Sequence, residues 1–405
     1  MTLANQRANT NVLVVESQAM GMIGVIRSLG MAGYCVHAVA EHADALGLHS
    51  KYATHSQTHP KYGHRDFLPW LSNYVQVENI SVVVPSEAFL HAITSIYDQI
   101  SPLIPNAMPL AVWSRCMSKV ATQAILEAAP QTRVHLPPGG VVKSGEPLPN
   151  ALQLAGKSPP YFVKGDAGLG VGHTQAFVAR CDSYDELVSC FQKQRERYRQ
   201  LLWQVGVQGE KVCVSLWRHH GEIKAQSMAL ALHTYPHRAG TTCLRRTFWN
   251  EALLADAKLK CQSLEWEGVA YMEYLWHETT GDFWFVEINA RYWAYLHLDL
   301  YAGKDFPRMQ VDAVLGVVAT DLAPPKREVV CRSAIPHEFS YLVSVLRDPE
   351  LAKTRKMRSI AGFFLRFLDP FSKADLLYGG DRRLYWLALK AFVADLVRWR
   401  KPTRL

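Results

Sequence analysis

The sequence predicts an α/β chain in three parts. These are an open parallel α/β unit at the N-terminus, a strand-rich α+β region in the middle, and a basic, aromatic, helical segment at the end. Three observations carry this. Between residues 11 and 40 an apolar run, a helical apolar pattern and a second apolar run follow one another, the order of a parallel βαβ unit. From about residue 160 to 306, apolar runs of strand length dominate, with helical patterns between them. After about Val330 the chain turns basic, helical and aromatic.

In order, "NVLVVES" reads as a strand, "AMGMIGVIRSLGMAGY" as its helix and "CVHAVA" as a second strand. "ISVVVPS" is a later buried strand, followed by "EAFLHAITSIYDQI" as one helix. The turn after the first strand, "ESQAMGMIG", lacks the Gly-x-Gly-x-x-Gly spacing that seats a dinucleotide pyrophosphate, which argues against a nicotinamide cofactor. "PPGGVVKSGEPLP" reads as a boundary or surface loop. "LLWQVGV", "KVCVSLW", "IKAQSMALAL", "GVAYMEYLW" and "FWFVEINA" are strands, and "SYDELVSCFQKQRERYR" and "NEALLADAKLKCQSL" are helices. The expected domains are residues 1–110, 111–330 and 331–405.

At 405 residues, 49% hydrophobic and 20% charged, the composition is that of a soluble globular protein. A net charge of +8 is modest for this length, and no RNP, helix-turn-helix or zinc-finger spacing points to nucleic acid. None of the eight cysteines forms a Cys-x-x-Cys pair, the start is polar, and no run approaches a bilayer span. Reduced thiols and a cytoplasmic location are expected.

"GVAYMEYLW" and "FWFVEINA" flank "HETTGD", a hairpin loop. Glu273 and Glu287 are symmetric about Thr280, so without a bulge they oppose each other, with Asn289 on the same face as Glu287. Like charges directly opposite are destabilising, and burial raises the cost. Glu273 turned to solvent, or an arginine between the acids, would relieve it. So would a divalent cation, for which two carboxylates and an amide oxygen form a hard oxygen site. Upstream, in "YFVKGDAGLGVG", a strand ends in Lys164 and runs into Gly165, Gly168, Gly170 and Gly172. Glycines let backbone N–H groups approach phosphate oxygens, and the lysine supplies a point charge. A glycine-rich hairpin turn is the alternative; the stretch is not a Walker A loop.

Together, "YFVKGDAGLGVG" and "YMEYLW…FVEINAR" resemble the ATP-grasp superfamily, and "EINARYWAYLHLDLYAGKDFP" resembles its bacterial carboxylate–amine ligases. The resemblance spans roughly residues 10 to 320. It implies a pre-ATP-grasp domain, an ATP-grasp domain and ATP with Mg²⁺ or Mn²⁺. By the same resemblance, Glu273, Glu287 and Asn289 would hold the metal. Arg291 would face the reacting phosphoryl group or carboxylate. Lys164, Lys119, Gly168 and Gly170 would contact nucleotide, Gln204 and Val207 would form the adenine hinge, and Glu210 would reach ribose. The hinge "QVGVQGEK" departs from the family pattern, with Val205 and Gly206 replacing an acid and an aromatic, and Lys211 where many members carry an acid. Asp166 is unusual beside phosphates and points to weaker nucleotide binding or an altered substrate.

The implied reaction joins a small-molecule carboxylate to an amine through an acyl phosphate, with ADP and phosphate as products. Phosphoryl transfer without an amine, or a nucleotide-binding scaffold with little turnover, are the alternatives. Arg245 and Arg246, one pointing in and one out on a strand, are candidates for binding phosphate or an anionic substrate, with an ordinary solvated strand pair as the alternative. In the tail, Trp386, Leu389, Phe392, Val393, Leu396 and Val397 form an apolar stripe, with Lys390, Asp395, Arg398 and Arg400 mostly off it. That stripe either packs on the core or meets an anionic membrane peripherally. A second copy of the chain is the other expected partner.

Overall fold

The computed structural model describes residues 2–150, 157–166, 176–238 and 240–397. Its first sheet is parallel, with strands β1 (Asn11–Val14), β2 (Cys35–Ala40), β3 (His55–Thr58) and β4 (Ile80–Val84) in the order β3-β2-β1-β4. Val12, Leu13 and Val14 are fully buried, as a parallel strand covered on both faces requires. The helix Met20–Met31 packs so closely on the centre of the molecule that a Cβ on Gly21 would lie 2.6 Å from the Trp293 carbonyl oxygen. Only glycine permits that approach. The stretch expected as one helix after β4 is broken: Glu87–Ala92 ends at Ile93, and a 3₁₀ turn leads to Tyr97–Ile100.

The second sheet is antiparallel, with β5 (Gly139–Lys143), β6 (Tyr161–Gly165), β7 (Phe177–Cys181) and β8 (Gln200–Val205) in the order β5-β8-β6-β7. β5 corrects the sequence reading, because it lies inside the Pro- and Gly-rich run expected to be a boundary or surface loop. Its Gly139 pairs with Gln204 so tightly that a Cβ would collide with the Trp203 carbonyl. The glycine there serves strand approach, not a turn.

The third sheet holds β9 (Glu210–His219), β10 (Glu222–Tyr235), β11 (Thr241–Thr247), β12 (Gly268–Trp276), β13 (Phe283–Asn289), β14 (Val330–Arg332) and β15 (Ser372–Ala374), in the order β13-β12-β9-β10-β11-β14-β15. The segment after residue 330 carries the helices Phe339–Arg347, Lys353–Leu368 and Arg382–Val397, and it also adds β14 and β15 to the edge of this sheet. Buried ion pairs fasten it. Arg27 donates to Asp381 (3.2 Å) and to the Asp375 and Leu376 carbonyls (2.6 and 2.9 Å). Arg245 donates to Asp375 (3.0 Å). Arg245 and Arg246 do split between inside and outside, but Arg245 is committed to Asp375 and Arg246 to Glu328 (3.0 Å). Arg245, buried against Asp375, is thus a structural ion pair, and Arg246 forms an exposed surface pair. Removing one partner of such a buried pair would leave an uncompensated charge.

The last helix also corrects the expected stripe. It packs inward through Leu384, Ala388 and Phe392, at i, i+4 and i+8, while Trp386, Val393, Leu396 and Val397 stay exposed. Of the stripe expected to act together, Phe392 alone is buried among the residues named there as exposed or buried. Arg398 and Arg400 lie outside the described residues.

Candidate functional site

The candidate site forms where the second sheet, the helix Lys119–Ala128 and the β12–β13 hairpin meet. Glu273 and Glu287 are paired across the β12–β13 ladder, with Tyr271 opposite Asn289. Opposed residues point to the same side of a sheet, so both carboxylates share one face. The pairing is reached through a bulge. Trp276↔Phe283 and Tyr274↔Phe285 centre the hairpin ahead of Thr280, and skipping Val286 then brings Glu287 opposite Glu273.

Lysines answer the two acids. Lys119 Nζ lies 2.5 Å from Glu287, and Lys211 Nζ lies 2.7 Å from Glu273. Burial acts against the Glu287 carboxylate, but Lys119 outweighs it and holds its pKa below the usual range. Burial likewise opposes the Lys119 and Lys211 ammonium groups, and Glu287 and Glu273 more than restore them. Lys211, where the resemblance led one to expect an acid, thus has a defined partner. It sits opposite Leu275 on the β9–β12 ladder, diagonal to Glu273.

The donor set fits a hard divalent cation: two opposed carboxylates, with ammonium groups now compensating them, and an amide beside them. Asn289 donates from Nδ2 to Glu287 (3.1 Å) and accepts at Oδ1 from Arg291 (3.1 Å). To act as an oxygen ligand its amide must turn over.

Lys164, near the end of β6, donates to Gln204 on β8 (2.7 Å), which donates to Gln123 on the helix (3.1 Å). Burial and then the neighbouring Lys119 charge push the Lys164 ammonium down to about 8. Gln204 therefore presents its side chain to the lysine. Val207 is half-buried on the connection into β9, and Glu210, the first residue of β9, is exposed. Gly168 and Gly170 lie outside the described residues. Asp166 faces the helix: it accepts from the Ser118 hydroxyl (2.7 Å) and the Val120 N–H (3.0 Å). Its charge sits at the positive end of the helix dipole.

Arg291 lies beyond the hairpin, against Glu87 (3.4 Å), with its guanidinium 5.6 Å from the centre of the Tyr271 ring. It lines a cleft of about 390 Å³ shared with Glu16, Ser86, Glu87 and His91 of the first domain. Glu16 holds a positive φ of 49° there, a backbone state that L side chains rarely adopt and that clusters at functional sites. Sequence reasoning missed Glu16, Glu87 and Gln123. The acids' signal was their place directly after apolar strands, at the carboxyl edge of a parallel sheet.

No sequence family matches the chain, and no curated protein matches it. Solved structures do. A biotin carboxylase from Campylobacter jejuni, in a β-γ-ATP complex, is similar at 14% identity and a TM-score of 0.62, over 80% of this chain and 76% of that one. An N5-carboxyaminoimidazole synthetase from Staphylococcus aureus, complexed with ADP, is similar at 13% identity and a TM-score of 0.59, over 80% and 82%. An L-amino acid ligase from Bacillus licheniformis is similar at 13% identity and a TM-score of 0.58, over 80% and 79%.

Proposed function

We propose, from the ATP-grasp fold that this chain adopts, that it is an ATP-dependent carboxylate–amine ligase. The observation that carries the reading is the convergence of Lys119 and Lys164 with the opposed Glu273–Glu287 pair, next to the cleft lined by Arg291. Glu273, Glu287 and Asn289 would hold Mg²⁺ or Mn²⁺, which when bound supplies neutralisation of phosphate charge. Lys164 and Lys119 would hold the nucleotide phosphates, with Gln204, Val207 and Glu210 along the adenosine side.

In the proposed reaction a substrate carboxylate oxygen attacks the γ-phosphorus of ATP, and the bond to the ADP oxygen breaks. The amine nitrogen then attacks the acyl carbon, phosphate leaves and the nitrogen loses a proton. The chain's contribution is charge placement: Lys119, Lys164 and Arg291 face oxygens whose negative charge grows during transfer. Arg291 and the acids Glu16 and Glu87 on one cleft suit a substrate carrying both a carboxylate and an ammonium group, which favours amino acids. Screening amino acids and amino sugars for ADP release, with mass analysis of products, tests this. An amide product is expected. A phosphorylated compound without amide would favour simple phosphoryl transfer, and nucleotide binding without turnover would favour a scaffold.

We also propose a peripheral membrane contact on the C-terminal segment. Among the described residues no helix is long and apolar enough to cross a membrane, so any such contact lies along the surface. The support is the large apolar side chains that this segment leaves exposed.

A further inference from the structure

The seat of that contact is legible in the helix Lys353–Leu368, "KTRKMRSIAGFFLRFL". Its inward side is settled by Phe363, which is buried edge-on to Phe339 and lies under the Arg332 guanidinium. A second apolar face remains. Met357, Ala361, Phe364, Leu365 and Leu368 recur at i, i+4, i+7, i+8 and i+11, within about 100° of arc. All five are exposed: Phe364 by 61%, Leu365 by 62% and Leu368 by 81%, and Phe371 just beyond the helix by 80%. An uncovered stripe of this kind marks an interaction surface.

Charge decides the occupant. The helix carries Lys353, Arg355, Lys356, Arg358 and Arg366 and no acid, and Arg366 alone of these turns inward, to the buried Glu338 (3.6 Å). Four of these cations crowd its N-terminal half, against the positive end of the helix dipole, where they oppose the helix that carries them. A dense anionic surface relieves that conflict, and a second copy of the same basic face does not. We propose that this helix lies in the plane of an anionic membrane, with Phe364, Leu365 and Leu368 inserted among the acyl chains and the basic residues of its N-terminal half on lipid phosphates. The inference rests on the membrane reading above and is independent of the ligation chemistry.

Flotation of the full chain with vesicles tests it, using phosphatidylcholine alone and phosphatidylcholine with a third phosphatidylglycerol. Binding to the anionic vesicles at low salt, its loss at high salt and none to phosphatidylcholine are expected. Because the stripe is exposed, Phe364→Asp with Leu368→Asp should leave thermal unfolding and ADP release unchanged while lowering vesicle binding at least tenfold. Wild-type protein that stays unbound at low salt overturns the membrane reading altogether. A double variant that binds like wild type, while Trp386→Ser does not, moves the contact to the last helix and overturns this assignment alone. Light scattering that shows a dimer dispersed by the double variant, with no vesicle binding, replaces the lipid with a second copy.

Discussion

Glu273 stands directly opposite Glu287 on the β12–β13 ladder, and each carboxylate closes on its own lysine, Lys211 at 2.7 Å and Lys119 at 2.5 Å. Two like charges in register are tolerated because two cations from separate elements answer them. In the proposed enzyme the two acids would hold the metal, and Lys119 and Lys211 would be available to phosphate. Glu273→Gln and Glu287→Gln keep shape and remove charge. Each is expected to lower Mg²⁺-dependent ADP release by about 10²–10³-fold, the usual cost of losing one group that stabilises developing charge. Circular dichroism should stay unchanged. Turnover within a factor of two of wild type would remove that residue from the site.

Lys164 gives a pH signature. Burial and Lys119 depress its pKa to about 8, so in the free protein it is charged below that pH and increasingly neutral above it. Phosphate favours the charged form. Nucleotide affinity should therefore decline as pH rises through 8, and binding above pH 8 should take up a proton. Calorimetry in buffers of different ionisation enthalpy reads the uptake directly. Lys164→Ala should abolish it and weaken binding by roughly 1.5–3 kcal/mol, the value of a charge-assisted hydrogen bond. Equal uptake in the variant would assign the proton to another group.

The sequence made the parallel unit readable because β1, β2 and β4 are runs of buried aliphatic residues. β3 was hidden because "HSQT" has no apolar residue and all four positions are exposed. β5 was hidden because the glycines that admit close strand pairing look like turn glycines. The Glu273–Glu287 opposition was readable, yet the symmetry argument reached it without the bulge at Val286, which no periodicity reveals. Arg245 shows a different limit. Strand alternation gives its direction, but its partner Asp375 lies 130 residues away, and only the folded chain decides between an ion pair and an anion site.

Asp166 illustrates the same limit and yields a test. Beside a glycine loop in the sequence, its charge is out of place near phosphate. In the fold it accepts from Ser118 and from the Val120 N–H, at the start of the helix that presents Lys119. Asp166→Ala should cost about 1 kcal/mol of stability, as loss of a helix cap does, and Asp166→Asn should retain most of it. Chemical denaturation of both variants measures this. Tighter nucleotide binding in Asp166→Ala with no loss of stability would instead make its charge a brake on the nucleotide.

Asp299 carries the clearest pH dependence of stability. It is buried on the helix Leu296–Tyr301, accepts from the Trp293 indole N–H (2.6 Å), and burial raises its pKa to about 7. The unfolded carboxyl titrates near its ordinary value of 3.8. The folded state therefore holds the proton more tightly, and this group's contribution is most favourable below about pH 4. As pH rises from about 4 to 7, its contribution to stability falls by at most about 1.4 kcal/mol per pH unit, then levels off. Asp299→Asn keeps an acceptor for the indole and cannot ionise. Other carboxylates, such as Glu287 with its lowered pKa, shift stability the opposite way at acid pH, so the difference between variant and wild type isolates Asp299. That difference should grow in the variant's favour between pH 4 and 7 and stay constant above. A difference independent of pH across that window would mean that Asp299 is ionised in the folded protein throughout.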